Sequence, residues 1–397
     1  MTYTFANRIG SLAPSAIREI LKVTQDPSVI SFAAGNPAAF AFPVAEIEEL
    51  SAELLASSGA EALQYGVSEG YGPLREQTKA RIKRKFGLGN ENDQLIITSG
   101  GQQVLELSAK VLGNEGDVVI CETPSFVGAL NAFRSYGLQL AGVPVLEDGM
   151  DLEAVEKILA SGRRVAFIYT IPTYQNPTGR TMSLAKRQRL LELAEKYNVL
   201  ILEDSPYLEL SYEEAPPPPI KALDRSGRVI YAGSYSKVFS PGIRVGFALA
   251  PAPVISKLIV AKQVSDVHTN LFFSMLLSKY LEKYDLDKHI SFVCREYRKK
   301  RDVMLAAAER HLSGVTMTRP GGGLFLWGEL PPGYDGFELC KLASEKKVAA
   351  VPGSAFLPDE TQTSGGFRLN FSLPTEEQIE KGMALLGQAV ADLLKGR

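Results

Sequence analysis

The chain has 397 residues, a formal net charge of −2, 45% hydrophobic and 22% charged residues. That balance belongs to a globular protein of roughly two to three domains with ample core, and no like-charge block is long enough for a nucleic-acid arm. Cys121, Cys294 and Cys340 stand too far apart for a disulfide framework or a C-x-x-C metal site, the three histidines are dispersed, and no run approaches the ~18 apolar residues of a membrane span, so a cytoplasmic setting is expected and metal chemistry is not.

The opening MTYTFANRIG has no apolar signal region, and the first 44 residues hold no core strand pattern of their own. They are expected to pack with a small domain beside the site. The basic run from Lys79 to Lys85, interleaved with Ala80 and Ile82, reads as the wet face of a helix. Between about 94 and 250 short apolar runs alternate with helical stretches: Gln94-Leu-Ile-Ile-Thr, Asp117-Val-Val-Ile-Cys, Val165-Ala-Phe-Ile-Tyr, Val199-Leu-Ile-Leu, Val229-Ile-Tyr-Ala and Val245-Gly-Phe-Ala-Leu. Unbroken apolarity without period two predicts strands covered on both faces of a mainly parallel sheet. Residues 184–197 place Leu190, Leu191, Ala194 and Tyr197 on one helical stripe, completing an α/β pattern. The four prolines at 216–219 predict a stiff surface loop. Beyond 285 the texture changes to a charged helix (290–312), two strand-like runs (323–327 and 367–371) and a last helix opened by the capping box Thr375-Glu-Glu-Gln378. The expected organisation is an N-terminal segment 1–44, a large α/β domain 45–285 and a smaller α+β domain 286–397.

In an open α/β sheet ligands bind beyond the carboxyl ends of the strands. Polar loops follow five of the runs here: Ser99-Gly100-Gly101-Gln102, Glu122-Thr123-Pro124, Thr173–Asn176, Asp204, and Ser234–Lys237. The segment Gly233–Gly246 carries the most chemistry. Ser234, Ser236, Lys237 and Arg244 combine hydroxyls, an amine and a guanidinium, which suits a phosphate and an imine-forming carbonyl on one ligand. Each piece has an ordinary alternative. Lys237 could be a solvated lysine, Asp204 a turn former, Tyr207 a core tyrosine, and Asn176-Pro177 a simple turn. Gly100-Gly101 opens a helix and offers backbone N–H groups to an anion, but no dinucleotide fingerprint or GxxxxGK[ST] loop accompanies it. Arg368 sits in an apolar strand, where it needs either an internal salt bridge or a ligand carboxylate.

Taken in order, Asn176-Pro-Thr-Gly, Asp204-x-x-Tyr207, Ser234-x-Ser-Lys237, Pro241-Gly-x-Arg244 and Arg368 resemble the class I/II aminotransferases of the type I pyridoxal 5′-phosphate (PLP) fold. Gly35-Asn-Pro37, Gln64-Tyr-Gly66, Gly70-Tyr-Gly72, Pro320–Trp327 and Pro352-Gly-Ser-Ala-Phe356 also match. Arg18-Glu-Ile-Leu with Ile30-Ser-Phe-Ala-Ala-Gly looks most like the 2-aminoadipate/kynurenine branch.

The resemblance implies a three-layer fold with a mainly parallel large-domain sheet, PLP as cofactor, and a homodimer with its sites at the subunit interface. It implies Lys237 as the covalent anchor and proton carrier, Asp204 beside the ring nitrogen, and Asn176 and Tyr207 at the phenolic oxygen. Phe126 would stack on the ring where many relatives have tyrosine. Gly100, Gly101, Gln102, Ser234, Ser236 and Arg244 would hold the phosphate, with Tyr65 reaching in from a second subunit. Gly35, Asn176 and Arg368 would hold the substrate carboxylate. Arg18, off the Ile17–Ile20–Leu21 stripe, is either a solvated helix arginine or a switchable partner for a distal carboxylate. The implied activity is transamination between an L-amino acid (2-aminoadipate, aromatic or aliphatic) and a 2-oxo acid, 2-oxoglutarate in particular, by a ping-pong cycle. The alternatives are a PLP-dependent β-lyase or decarboxylase, or a PLP-sensing regulator, for which Gly35-Asn-Pro lies too near the start to leave room for a DNA-binding domain.

Overall fold

The computed structural model describes residues 3–10 and 26–395. Its centre is an eight-stranded sheet of β2 (Asp93–Thr98), β3 (Val118–Thr123), β4 (Gln139–Leu146), β5 (Gly149–Met150), β6 (Val165–Thr170), β7 (Leu200–Asp204), β8 (Val229–Ser234) and β9 (Gly246–Pro251), in the order β2-β9-β8-β7-β6-β3-β4-β5. The run β8-β7-β6-β3-β4 is parallel, while β9 lies antiparallel between β2 and β8.

Successive residues of the central strands go to opposite faces. Ile96, Val119, Phe167, Leu202 and Ile230 pack one side with Val104 and Leu107 of the helix Gly101–Leu112. Val118, Ile120, Ile168, Ile201 and Val229 pack the other with Leu190 and Ala194 of the helix Leu184–Lys196. Covering on both sides is why these strands read as unbroken apolar runs, and it makes three layers. No apolar run announces β4: exposed and buried residues alternate from Gly142 to Leu146, and Gly142 and Pro144 interrupt the apolar residues.

A second sheet has the order β10 (Thr316–Met317), β11 (Phe325–Glu329), β14 (Gly366–Asn370), β13 (Val351–Pro352), all antiparallel. The long helix Leu286–His311 packs on the last helix, Glu376–Lys395. The N-terminal segment does contribute a strand. β1 (Ile30–Ser31) pairs in parallel with β12 (Val348–Ala349), and the Asn370 N–H donates to the Phe32 carbonyl at 2.7 Å.

The basic run lies on the helix Gly72–Phe86, but Arg81 is not on a wet face. It is 7% exposed and paired with Glu209 and Asp287 at 2.5 Å each, which the local pattern could not reveal because both partners are distant in sequence. No helix among the described residues is long and apolar enough to cross a membrane. No group of three or more His, Cys, Asp or Glu side chains among those residues is placed to hold a metal ion.

Candidate active site

The parallel strands end on one rim, and there Asp204 terminates β7 and Ser234 terminates β8. Because β9 is antiparallel, its first residue, Gly246, sits on the same rim opposite Ser234 and Thr98. A Cβ at Gly246 would lie 2.6 Å from the Gly100 carbonyl carbon and 2.7 Å from the Gly101 nitrogen, so only glycine lets the Ser99–Gly101 loop settle there.

The rim opens into a cavity of about 360 Å³ roofed by the second sheet. It is lined by Gly35, Gly101, Gln102, Phe126, Asn176, Asp204, Tyr207, Ser234, Ser236, Lys237, Arg244 and Arg368, so twelve of the residues singled out in sequence come together. Gly100 stands just behind, against the Arg244 guanidinium. Tyr65 does not join them. It is 78% exposed in a separate surface cavity, edge-on to His268 at 5.8 Å between ring centres. Arg18 lies outside the described residues.

At one end of the cavity Gly100, the N-cap of the helix Gly101–Leu112, has φ +80° and ψ 169° and no side-chain cap. The first N–H groups of a helix have no intrahelical acceptor, so Gly101 and Gln102 present free donors to the cavity. Arg244 donates to the carbonyls of Pro241 (3.1 Å) and Ser99 (3.4 Å). Ser234 Oγ accepts from the Ser236 N–H at 3.1 Å and keeps its own hydrogen for another acceptor. Gln102 Nε2 donates to the Gly128 carbonyl at 2.7 Å, fixing the turn under Phe126.

At the middle, Lys237 Nζ donates to the Gly35 carbonyl at 2.8 Å. Burial first, then the nearby Arg368 and Arg244, lower its pKa to about 8. Asp204 faces the opposite strain. Burial raises its pKa to about 7, although the Tyr169 hydroxyl donates to Oδ2 at 2.9 Å. A carboxylate buried this way gains from a cationic or N–H-bearing neighbour. Tyr207 is 4% exposed, with burial raising its pKa, and its ring meets Phe325 edge-on at 5.9 Å.

At the far end Arg368, on β14, is 3% exposed. Nη1 donates to Asn176 Oδ1 at 2.9 Å and Nη2 to the Ala33 carbonyl at 2.7 Å, while Nε has no partner. Its guanidinium lies 4.2 Å from the Phe325 ring centre and 4.9 Å from that of Phe356. Burial pulls its pKa down to about 10. Among the described residues no carboxylate pairs with Lys237, Arg244 or Arg368. The internal salt bridge that would have explained Arg368 is therefore not made by them. A buried guanidinium without a counter-ion is costly, and unlike Arg187, which is fully buried but donates to three carbonyls and the Thr173 hydroxyl, Arg368 keeps an unpartnered Nε and lines the cavity.

Sequence reasoning missed Tyr169 and the Glu122–Gln175 pair. Tyr169 is a hydroxyl in an otherwise apolar run, one strand from Asp204, and its polarity was the available signal. Glu122 accepts from Thr170 Oγ1 (2.6 Å), the Ile171 N–H (3.2 Å) and Gln175 Nε2 (3.1 Å). Gln175 in turn accepts from Thr178, so the pair folds the loop that presents Asn176.

The donor set fits the cofactor the resemblance implies. A glycine-lined helix N-terminus with an arginine and two serines suits a phosphate, a buried carboxylate suits a pyridinium, and an amine of lowered pKa suits an aldehyde.

The comparisons with known proteins agree. Residues 27–386 match the family model for aminotransferase class I and II. The chain is 40% identical to aromatic-amino-acid aminotransferase 1 of Thermococcus litoralis, over 98% of this chain and 95% of that one. It is 41% identical to the 2-aminoadipate transaminase of Thermus thermophilus, over 98% and 97%. Among solved structures, a Pyrococcus horikoshii kynurenine aminotransferase in complex with PMP superposes with a TM-score of 0.94 at 37% identity, covering 98% of this chain and 97% of that one.

Proposed function

The chain belongs to the class I and II aminotransferases and is a PLP-dependent enzyme of amino-acid transamination; from that premise we propose that it moves an amino group from 2-aminoadipate, aromatic or aliphatic L-amino acids to 2-oxoglutarate by a ping-pong cycle. The observation that carries the reading is Arg368, a buried cation aimed into the cavity with an unpartnered Nε and no internal carboxylate among the described residues. Every amino acid and 2-oxo acid brings one α-carboxylate, and a guanidinium binds it in two-point fashion. The breadth of donors rests on the names of the relatives, which span aromatic acids and 2-aminoadipate.

PLP, when bound, supplies an aldehyde that captures the amino group and a ring that withdraws electrons from the substrate Cα. The chain's residues do the rest. Ser234, Ser236, Arg244 and the N–H groups of Gly101 and Gln102 would grip the phosphate. Tyr65, exposed on its own subunit, would reach the phosphate of the partner site in a homodimer. Phe126 would cover the ring, and Asn176 and Tyr207 would hold its phenolic oxygen. Asp204, steadied by Tyr169, would hold the proton on the ring nitrogen, because attraction to that cation offsets the burial that raises the Asp204 pKa. Arg368, Asn176 and the Gly35 backbone fix the carboxylate and thereby aim the Cα–H bond. Lys237, whose amine already reaches the Gly35 carbonyl at 2.8 Å, takes and returns the Cα proton. A pKa of about 8 leaves a useful share of it neutral near pH 7.5. The setting is cytoplasmic.

The test is a panel of L-amino acids mixed with stoichiometric holoenzyme and no acceptor. Each true donor should release one equivalent of 2-oxo acid per site, and 2-oxoglutarate added afterwards should restore the starting spectrum. Release only when both substrates are present together would rule out the ping-pong cycle, and release of ammonia or carbon dioxide instead would point to lyase or decarboxylase chemistry.

A further inference from the structure

Outside the cavity one fully buried charge reaches toward the anion-binding end: Lys262, 0% exposed on the helix Ala252–Gln263. This helix packs against the helix Gly101–Leu112 that opens on the cavity. Lys262 Nζ donates to Gln103 Oε1 at 2.7 Å and to Asp266 Oδ1 and Oδ2 at 2.8 and 2.9 Å. Its carbonyl accepts from the N–H groups of Ser265, Asp266 and Val267 at 2.9, 3.1 and 3.2 Å. One residue thus holds the following turn from both ends. The turn needs holding: Val267, β-branched, sits at φ +67°.

Both acceptors of the ammonium go on to Ser99. Asp266 Oδ2 accepts from Ser99 Oγ at 2.6 Å, and Gln103 Oε1 accepts from the Ser99 N–H at 2.8 Å. The Ser99 carbonyl receives Arg244 Nη2 at 3.4 Å, and Ser99 directly precedes Gly100. A fully buried lysine paired with a carboxylate adds little stability over an apolar packing of the same volume, so its value lies in what it orients. We infer that Lys262 and Asp266 are positioning residues for the anion-binding end of the site, clamping Ser99 so that the Gly100–Gln102 N–H groups and the Arg244 guanidinium are preorganised around a phosphate.

This rests on the reading of that end as the cofactor's phosphate site, and the test separates the two. Apoprotein is titrated with pyridoxal 5′-phosphate, with pyridoxal, and with inorganic phosphate as competitor, for the wild type and for Lys262→Met, Ser99→Ala and Asp266→Asn. In Lys262→Met the affinity for pyridoxal 5′-phosphate falls about tenfold while that for pyridoxal stays within about twofold, because only the phosphate end is loosened. Inorganic phosphate then competes less well. Ser99→Ala, which removes a single hydroxyl and carries the test if Lys262→Met does not fold, shows the same split at several-fold. Asp266→Asn keeps an acceptor for Ser99 and retains most of the discrimination. Equal losses for the two ligands, or no loss in folded Lys262→Met and Ser99→Ala, overturn the positioning role. A wild-type protein that binds pyridoxal as tightly as pyridoxal 5′-phosphate overturns the phosphate reading itself, and the positioning role with it.

Discussion

Gly100→Ala strikes the anion-binding end through one carbon atom. At φ +80° and ψ 169° the residue occupies a region that is almost exclusive to glycine, where a side chain costs on the order of 1–3 kcal/mol. The added Cβ would stand 2.4 Å from Arg244 Nη2 and 2.9 Å from its Cζ, so the guanidinium must also leave its place. Moving it forfeits one charge-assisted hydrogen bond to phosphate, about 1.5–3 kcal/mol, or roughly 10- to 150-fold in affinity. Gly162→Ala is the control: φ is +79° there and nothing lies within 4 Å of the added carbon, so it carries backbone strain alone. Thermal unfolding of both apoproteins, with absorbance titration of pyridoxal 5′-phosphate, separates strain from displacement. Both variants should lose stability, and only Gly100→Ala should lose cofactor affinity. Wild-type affinity in a folded Gly100→Ala protein would refute the placement of Arg244 against that glycine.

Three further outcomes follow from the site. Lys237, at a pKa of about 8, is roughly a quarter neutral at pH 7.5, against about one part in a thousand for an ordinary lysine, so capture of the cofactor by apoprotein should accelerate up to about pH 8 and then level off; a rate still climbing tenfold per unit at pH 9.5 would contradict the burial assigned to it, and Lys237→Ala should leave no borohydride-fixed adduct. Asp204 has a folded pKa raised to about 7, so the folded apoprotein retains a proton that the unfolded chain releases above about pH 4. This group's contribution to stability therefore declines as pH rises from about 4 to 7. Asp204→Asn, which can still accept from Tyr169, should unfold at a higher temperature than wild-type apoprotein at pH 8 yet lose activity; a lower unfolding temperature there would reject the desolvation argument. Arg368→Lys loses the planar fork, and kcat/KM should fall by about 10- to 150-fold for every amino donor, with no loss of cofactor affinity. A fall confined to dicarboxylic donors would move Arg368 from the α-carboxylate to the side-chain end, and direct calorimetric titration with donor would show the same shift.

The sequence by itself carried the chemistry because the reactive types sit in short, ordered signatures. Lys237 and Arg244 share one segment, Asp204 and Tyr207 another, and each follows a strand whose unbroken apolarity already stated that it is covered on both faces. A chain passing repeatedly through one mainly parallel sheet must bring those strand ends to one rim, so the rim was legible in the sequence. Long-range pairing was not. Arg81 reads locally as a wet helix residue, and only the fold carries Glu209 and Asp287 to it. Gln139–Leu146 forms β4 although glycine and proline interrupt it, because β3 offers it a partner edge. Arg368 left two choices open, salt bridge or ligand; no described carboxylate pairs with it once the two sheets close over it, and the ligand is the reading we propose. The Lys262–Asp266–Ser99 chain crosses 163 positions from Ser99 to Lys262, with no local motif to mark it. A buried charge declares its purpose through its neighbours, and neighbours are what folding supplies.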